Sequence, residues 1–158
     1  MSKVEAELVL YSNKYRQDLH YLLLEASKEL FGYRTVDLQS FLDYHWAIYL
    51  AVVNGKAIGF TSFVLNPYFG LRPITLGNDY IYILPEFRLS KAMYMLSIQA
   101  GKVCVEADLP MEHYYCSEES KKISRKLNGT KLYEAYVYDV SEINRVYKNL
   151  TKKIKIKD

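Results

Sequence analysis

The chain has 158 residues, half of them hydrophobic, which suffices for one well-buried core and asks for no second domain, so a single domain over residues 1–158 is expected. Its 21 Lys and Arg against 18 Asp and Glu are too evenly balanced to indicate a nucleic-acid partner, and no apolar run approaches a membrane span. Two cysteines, Cys104 and Cys116, in a chain that opens without a secretory pattern, point to free thiols in a reducing cytoplasm.

Residues 4–10, VEAELVL, alternate polar and apolar as a half-buried strand does. SNKYRQDLHYLLLEASKELFG then carries Tyr15, Leu19, Leu22, Leu23 and Leu30 at helical spacing before Gly32. A second short helix is predicted over TVDLQSFLDYH, capped by Thr35 with Asp37 in its first turn. Asn54-Gly55, between AIYLAVV and KAIGFTSFVL, supplies two residues tolerant of positive φ and predicts a type I′ hairpin. NPYFGLRPITLGN reads as a loop leading to the strand DYIYIL, which Pro85 ends.

Leu89, Ala92, Met93, Leu96, Ala100 and Val103 share one face of a helix from about Ser90 to Ala107, and Pro110 stops it. MEHYYC predicts a fifth strand. Ser117, with Glu118 and Glu119 in the first turn, begins a helix that ends at Asn128-Gly129, and KLYEAYVYDV follows as a strand. SEINRVYKNL is a short helix or loop, and KKIKIK alternates as an edge strand guarded by lysines. The sixteen tyrosines fit either an aromatic binding surface or biased codon usage.

This order of β, α, α, β, β, β, α, β, α, β, together with three stretches, resembles the GNAT superfamily of acetyl-CoA-dependent N-acetyltransferases. AIYLAVVNGKAIGF is similar to the family's central hairpin, and DYIYILPEFR to its fourth strand with a Pro-Glu-aromatic-Arg ending. SEESKKISRKLNGTKLYEAYVY is similar to its last helix, terminal glycine and following strand, so the likeness spans roughly residues 4–140. It implies a mixed-sheet α/β fold with helices flanking a central sheet. The fourth strand, bulged, and the fifth, near residues 79–84 and 111–116, would run parallel and diverge at their C-terminal ends, leaving a slot for the pantetheine arm of acetyl-CoA.

In that family the pyrophosphate is held by N–H groups at the start of the next helix, which fall here on Arg88, Leu89, Ser90, Lys91, Ala92 and Met93. The first position matches, while Lys91 and Met93 stand at the two glycine positions, with Arg88 and Lys91 offering charge in place of a permissive backbone. Ile83, Leu84 and Ser120 complete the cofactor-binding set that the resemblance implies.

Moving an acetyl group from a thioester to an amine needs a route for the amine's proton, a donor at the carbonyl oxygen and an acid for the departing thiolate. The resemblance places a carboxylate base at Asp79; the residues alone equally allow Asp79 to end the loop LGND as a turn residue. The N–H of Ile83 or Leu84 is the candidate donor at the oxygen. The family's acid tyrosine falls at Arg125, beside Ser124, which leaves Tyr115, with Tyr114 and Cys116, as the substitute. Glu86 is placed to pair with Arg88.

His20, His45 and His113 lack metal-ligand spacing and read as structural or solvent-facing, and no metal is expected. Tyr68, Phe69 and Arg72 either shape the choice of acceptor or pack their own loop. The reading is an N-acetyltransferase using acetyl-CoA and an unknown amine acceptor, small molecule or protein, by direct transfer in a ternary complex. Its alternative is a non-catalytic GNAT-like interaction or structural module. A homodimer is left open; membrane and nucleic-acid partners are not expected, the basic KKISRK and KNLTKKIKIK reading as solvated faces.

Overall fold

The computed structural model describes residues 5–32, 35–66 and 74–113, together with Arg145. The chain divides into two compact units, Met1–Glu118 and Glu119–Asp158, and the elements below lie in the first. Readings that fall on Tyr68, Phe69, Arg72, Tyr114, Tyr115, Cys116, Ser120, Ser124 and Arg125, and on the later helix and strands, lie outside the described residues.

A 3-10 turn at Asn13–Tyr15 leads into α1 (Arg16–Phe31), whose Leu19, Leu22, Leu23 and Ala26 form the buried face that their spacing predicts. It stops where Gly32, at φ 78°, turns its N–H back onto the Lys28 carbonyl at 3.0 Å. The next helix, α2 (Leu38–Tyr44), is capped by Asp37 and not by Thr35. Asp37 Oδ1 accepts the Ser40 N–H at 3.0 Å and Oδ2 accepts the Ser40 hydroxyl at 2.7 Å, so a carboxylate meets two donors where a hydroxyl offers one oxygen. Those bonds, the Ser40 N–H first, hold the Asp37 carboxyl below its ordinary range.

Among the described residues five strands form one sheet in chain order: β1 (Glu7–Leu10), β2 (Ala47–Val53), β3 (Lys56–Asn66), β4 (Thr75–Ile83) and β5 (Met111–His113). The first four are antiparallel and β4 pairs with β5 in parallel, so the sheet is mixed as expected. Asn54 (φ 51°) and Gly55 (φ 76°) make the β2–β3 hairpin, the two positive values that a type I′ turn requires. β4 starts four residues earlier than predicted, because Thr75, Leu76, Gly77 and Asn78 pair with Asn66, Leu65, Val64 and Phe63. Gly77 and Asn78 favour turns in isolation, but pairing on both sides overrides that preference.

The crossover from β4 to β5 is a 3-10 turn at Pro85–Phe87 and then α3 (Lys91–Ala107), capped by Ser90 at its start and closed by Asp108 at φ 52°. The parallel pairing runs Leu76 to Met111, Gly77 to Glu112 and Asn78 to His113. The expected divergence of the two strands falls on residues past His113, outside those described.

Alternation along β3 sends Phe60 and Phe63 to opposite faces, and each is fully buried. Phe60 joins Leu19, Leu22, Leu50 and Tyr82 beneath α1, whereas Phe63 joins Leu76, Ala100, Val103 and Cys104 beneath α3. Cys104 carries a free thiol that burial pushes up. Among the described residues no helix is long and apolar enough to cross a membrane.

Gly59 lies opposite Ile83, where β3 and β4 come so close that a Cβ would sit 2.7 Å from the Tyr82 carbonyl oxygen and 3.1 Å from Ile83 Cα. Both obstacles are backbone-centred and cannot swing aside. Gly59→Ala should therefore lower unfolding stability by about 1–3 kcal/mol in urea titration, the usual cost of overpacking. An unchanged midpoint would show that the two strands part freely.

Candidate functional site

The register of β3 against β4 slips once. Ser62 pairs with Tyr80 and Phe63 with Asn78, which leaves Asp79 as an extra residue with no partner across the ladder. Asp79 is thus a bulge residue inside a strand and not the turn residue that ends a loop. The bulge lets Asp79 and Tyr80 address the same face: Asp79 bonds Ser62, and the Tyr80 ring lies 6.4 Å from that of Phe41 in α2.

Asp79 is held at both oxygens. Oδ1 accepts the Ser62 hydroxyl at 2.7 Å, and Oδ2 lies 2.5 Å from His45 Nε2. The other ring nitrogen, Nδ1, lies 2.7 Å from the Phe41 carbonyl, which also accepts the His45 backbone N–H at 3.3 Å. The Phe41 and His45 rings stack at 3.9 Å and Tyr44 meets the imidazole edge-on at 5.3 Å, so the histidine is boxed in by α2. His45 is 3% and Asp79 13% exposed at the side chain, an environment that strengthens a satisfied polar network.

A carbonyl can only accept, so Nδ1 carries a hydrogen. Nε2 then faces a carboxyl oxygen at hydrogen-bond distance, which requires a proton between them. The sequence alone reads His45 as structural or solvent-facing. Nothing in the spacing of residues 45 and 79 announces this contact, since it depends on the bulge and on where α2 ends.

At the upper end of β4 the Leu84 N–H donates to the Ile58 carbonyl at 2.9 Å, which removes Leu84 from the candidates for a carbonyl-oxygen donor. The alternation of an antiparallel ladder then turns the N–H groups of Ile81 and Ile83 away from β3, to the side where β5 pairs lower down. Among the described residues no strand pairs with β4 there.

Arg88 donates from Nε to the Ile83 carbonyl at 3.3 Å, lies over the Tyr82 ring at 5.8 Å, and forms an ion pair with Glu29 of α1 through Nη2. Glu86, the expected partner, is not the one used: Glu29 reaches Arg88 from across the sheet end. The hydrogen bond with Glu29 pushes the Arg88 guanidinium up, and burial pushes the neighbouring Tyr82 phenol up as well.

Within the α3 start, the Arg88 N–H bonds Pro85, Ser90 N–H bonds Phe87, Met93 N–H bonds Ser90, and Ala92 N–H meets the Ser90 hydroxyl. Among the described residues the N–H groups of Leu89 and Lys91 face no acceptor. Ile83, Leu84 and residues 88–93 lie at the junction of β4 with α3, with Asp79 on the same strand. Tyr115 and Ser120 lie outside the described residues. Among the described residues no group of three or more His, Cys, Asp or Glu could hold a metal ion.

No protein-family model matches the chain, and no curated relative matches it in sequence. Solved structures do match in fold. An acetyltransferase of Trypanosoma brucei superposes with a TM-score of 0.67 at 14% identity, covering 86% of this chain and 100% of its own. An aminoglycoside N-acetyltransferase in complex with coenzyme A gives 0.64 at 18% identity, over 85% of this chain and 94% of its own. A ribosomal-protein-alanine N-acetyltransferase from Brucella melitensis gives 0.62 at 15%, over 85% and 99%. The chain has the fold of the GNAT acetyltransferases.

Removing the carboxylate tests how far the network supports the fold. Asp79→Leu would leave the Ser62 hydroxyl and the buried His45 ring without their acceptor, and a stranded buried polar group costs about 1–3 kcal/mol. Chemical unfolding should show that loss, and a wild-type midpoint would mean that the network contributes nothing to stability.

Proposed function

We propose that the chain is an acetyl-CoA-dependent N-acetyltransferase that moves an acetyl group to an amine by direct transfer in a ternary complex. The observation that carries this reading is the Asp79 bulge, which sets a hydrogen-bonded carboxylate beside a stretch of β4 whose Ile81 and Ile83 N–H groups turn away from β3. An extended, amide-bearing arm can add to such an edge as a further strand would. The Ile83 N–H is also the remaining candidate for the carbonyl oxygen of the acetyl group.

Acetyl-CoA, when bound, supplies the thioester; the chain's own part is to align the amine, exclude water and receive the proton that nitrogen sheds. Alignment alone accounts for a large share of such accelerations. In this reading Asp79 receives that proton. For the diphosphate, Lys91 offers a charge at the first position of α3, and Leu89 and Lys91 offer N–H groups. The named neighbours are an aminoglycoside and a ribosomal-protein-alanine N-acetyltransferase, and both of these targets present an amine, which supports an amine acceptor here without choosing one.

One observation favours the second reading, a non-catalytic module of the same fold. The N–H groups of Arg88, Ser90, Ala92 and Met93 already have partners inside the junction, and Arg88 is held by Glu29, which leaves a diphosphate fewer donors.

Titration with acetyl-CoA separates the two. A ligand that binds only the folded state at a hundredfold excess over its Kd adds about 2.7 kcal/mol of stability, so the melting temperature should rise. Thiol release from acetyl-CoA should then appear with either the aminoglycoside sisomicin or a peptide that begins with alanine. A flat melting temperature and no thiol release would establish the module reading. Lys91→Ala should weaken acetyl-CoA by about tenfold to a hundredfold in calorimetric titration, the value of a charge-assisted hydrogen bond to phosphate; equal affinity would place the diphosphate elsewhere.

A further inference from the structure

We propose that His45 is the positioning residue and proton partner of Asp79, and that the pair both receives the amine's proton and supplies one to the departing sulfur; this rests on the acetyltransferase reading above. The key is the Phe41 carbonyl. By accepting from Nδ1 it fixes the hydrogen on that nitrogen and leaves the lone pair of a neutral ring on Nε2, aimed at Asp79 Oδ2 from 2.5 Å. An orienting carboxylate normally receives an N–H from its histidine, which locks the histidine's tautomer. Here a backbone carbonyl does the locking, and the carboxylate faces the nitrogen that is left without its own hydrogen. Two acceptors pointed at each other at that distance hold a proton between them.

Both nitrogens of His45 are thereby used and its side chain is 3% exposed, so it acts through Asp79 and does not touch substrate. Ser62 sets the plane of the carboxylate by donating to Oδ1, and the bulge keeps Asp79 on that face. The pair at rest is loaded. During transfer the amine nitrogen forms the C–N bond to the acetyl carbon, the C–S bond breaks, and its electron pair leaves on sulfur. The pair gives its proton to that thiolate and is refilled by the proton that the nitrogen sheds. Proton, charge and electron pairs balance with no other reactant, and no separate acid side chain is required.

Two measurements test this on the intact chain. Long-range 1H–15N NMR of the ligand-free protein should find a hydrogen on Nδ1 of His45 and a low-field proton shared between Nε2 and Asp79, kept in Ser62→Ala and lost in Asp79→Asn. A wild-type spectrum with no proton shared between His45 and Asp79 overturns the proposal. With acetyl-CoA and whichever of sisomicin or the alanine peptide accepts the acetyl group, His45→Gln should lower kcat by about a hundredfold and leave KM for acetyl-CoA unchanged. The acetyl-CoA-induced rise in melting temperature reports that this variant is folded. Should it not fold, the NMR readout of the wild type carries the test by itself. Release by wild type that His45→Gln leaves unchanged overturns this inference alone, whereas a flat melting temperature with acetyl-CoA together with no release with either amine overturns the acetyltransferase reading and this inference with it.

Discussion

Side chains of a regular strand alternate between faces, so consecutive residues cannot serve one side of a sheet unless the ladder skips a step. β4 skips at Asp79, and everything at the site depends on that skip. It brings the carboxylate round to the α2 face beside Tyr80, where Ser62 and His45 wait for it. It also resets the phase of the strand beyond, so that Tyr80, Tyr82 and Leu84 bond to β3 while Ile81 and Ile83 turn the other way. One unpaired residue thus fixes both the aim of an acid group and the direction of the backbone donors next to it.

The junction above it is built on a different principle. Where a glycine-rich turn would present bare N–H groups, this chain uses Ser90 to cap its own helix and Arg88 to tie β4, Tyr82 and α1 together. That arrangement stiffens the start of α3 and spends donors that a phosphate would otherwise meet. The Arg88–Glu29 side chains are 41% and 44% exposed, so the tie is screened by solvent and worth little to stability. Its role is geometric more than energetic.

Much of this was legible in the sequence because short-range chemistry decided it. Gly32, Asn54 and Gly55 stand where the backbone needs positive φ, Ser90 caps a helix whose apolar spacing was plain, and Pro85 ends β4. At α2 the cap is Asp37 and not the expected Thr35, its two carboxylate oxygens meeting the Ser40 N–H and hydroxyl. The start of β4 was misread because Gly77 and Asn78 look like turn residues until their neighbours on both sides are known. His45 was beyond reach for the same reason: its partner lies 34 residues away and faces it only because of a register slip that no propensity records.

The Phe41 carbonyl accepts two bonds from His45, one from the backbone N–H at 3.3 Å and one from Nδ1 at 2.7 Å, so the last turn of α2 and the imidazole share a single anchor. An α-helix turns by about 100° per residue, so adding or deleting one residue between Asp37 and His45 would swing the ring to another quadrant while the Asp37 cap stayed in place. The seven residues of α2 are in this sense a ruler. Homologous chains that keep the carboxylate–imidazole pair would be free to vary every exposed letter of that helix, but not its length.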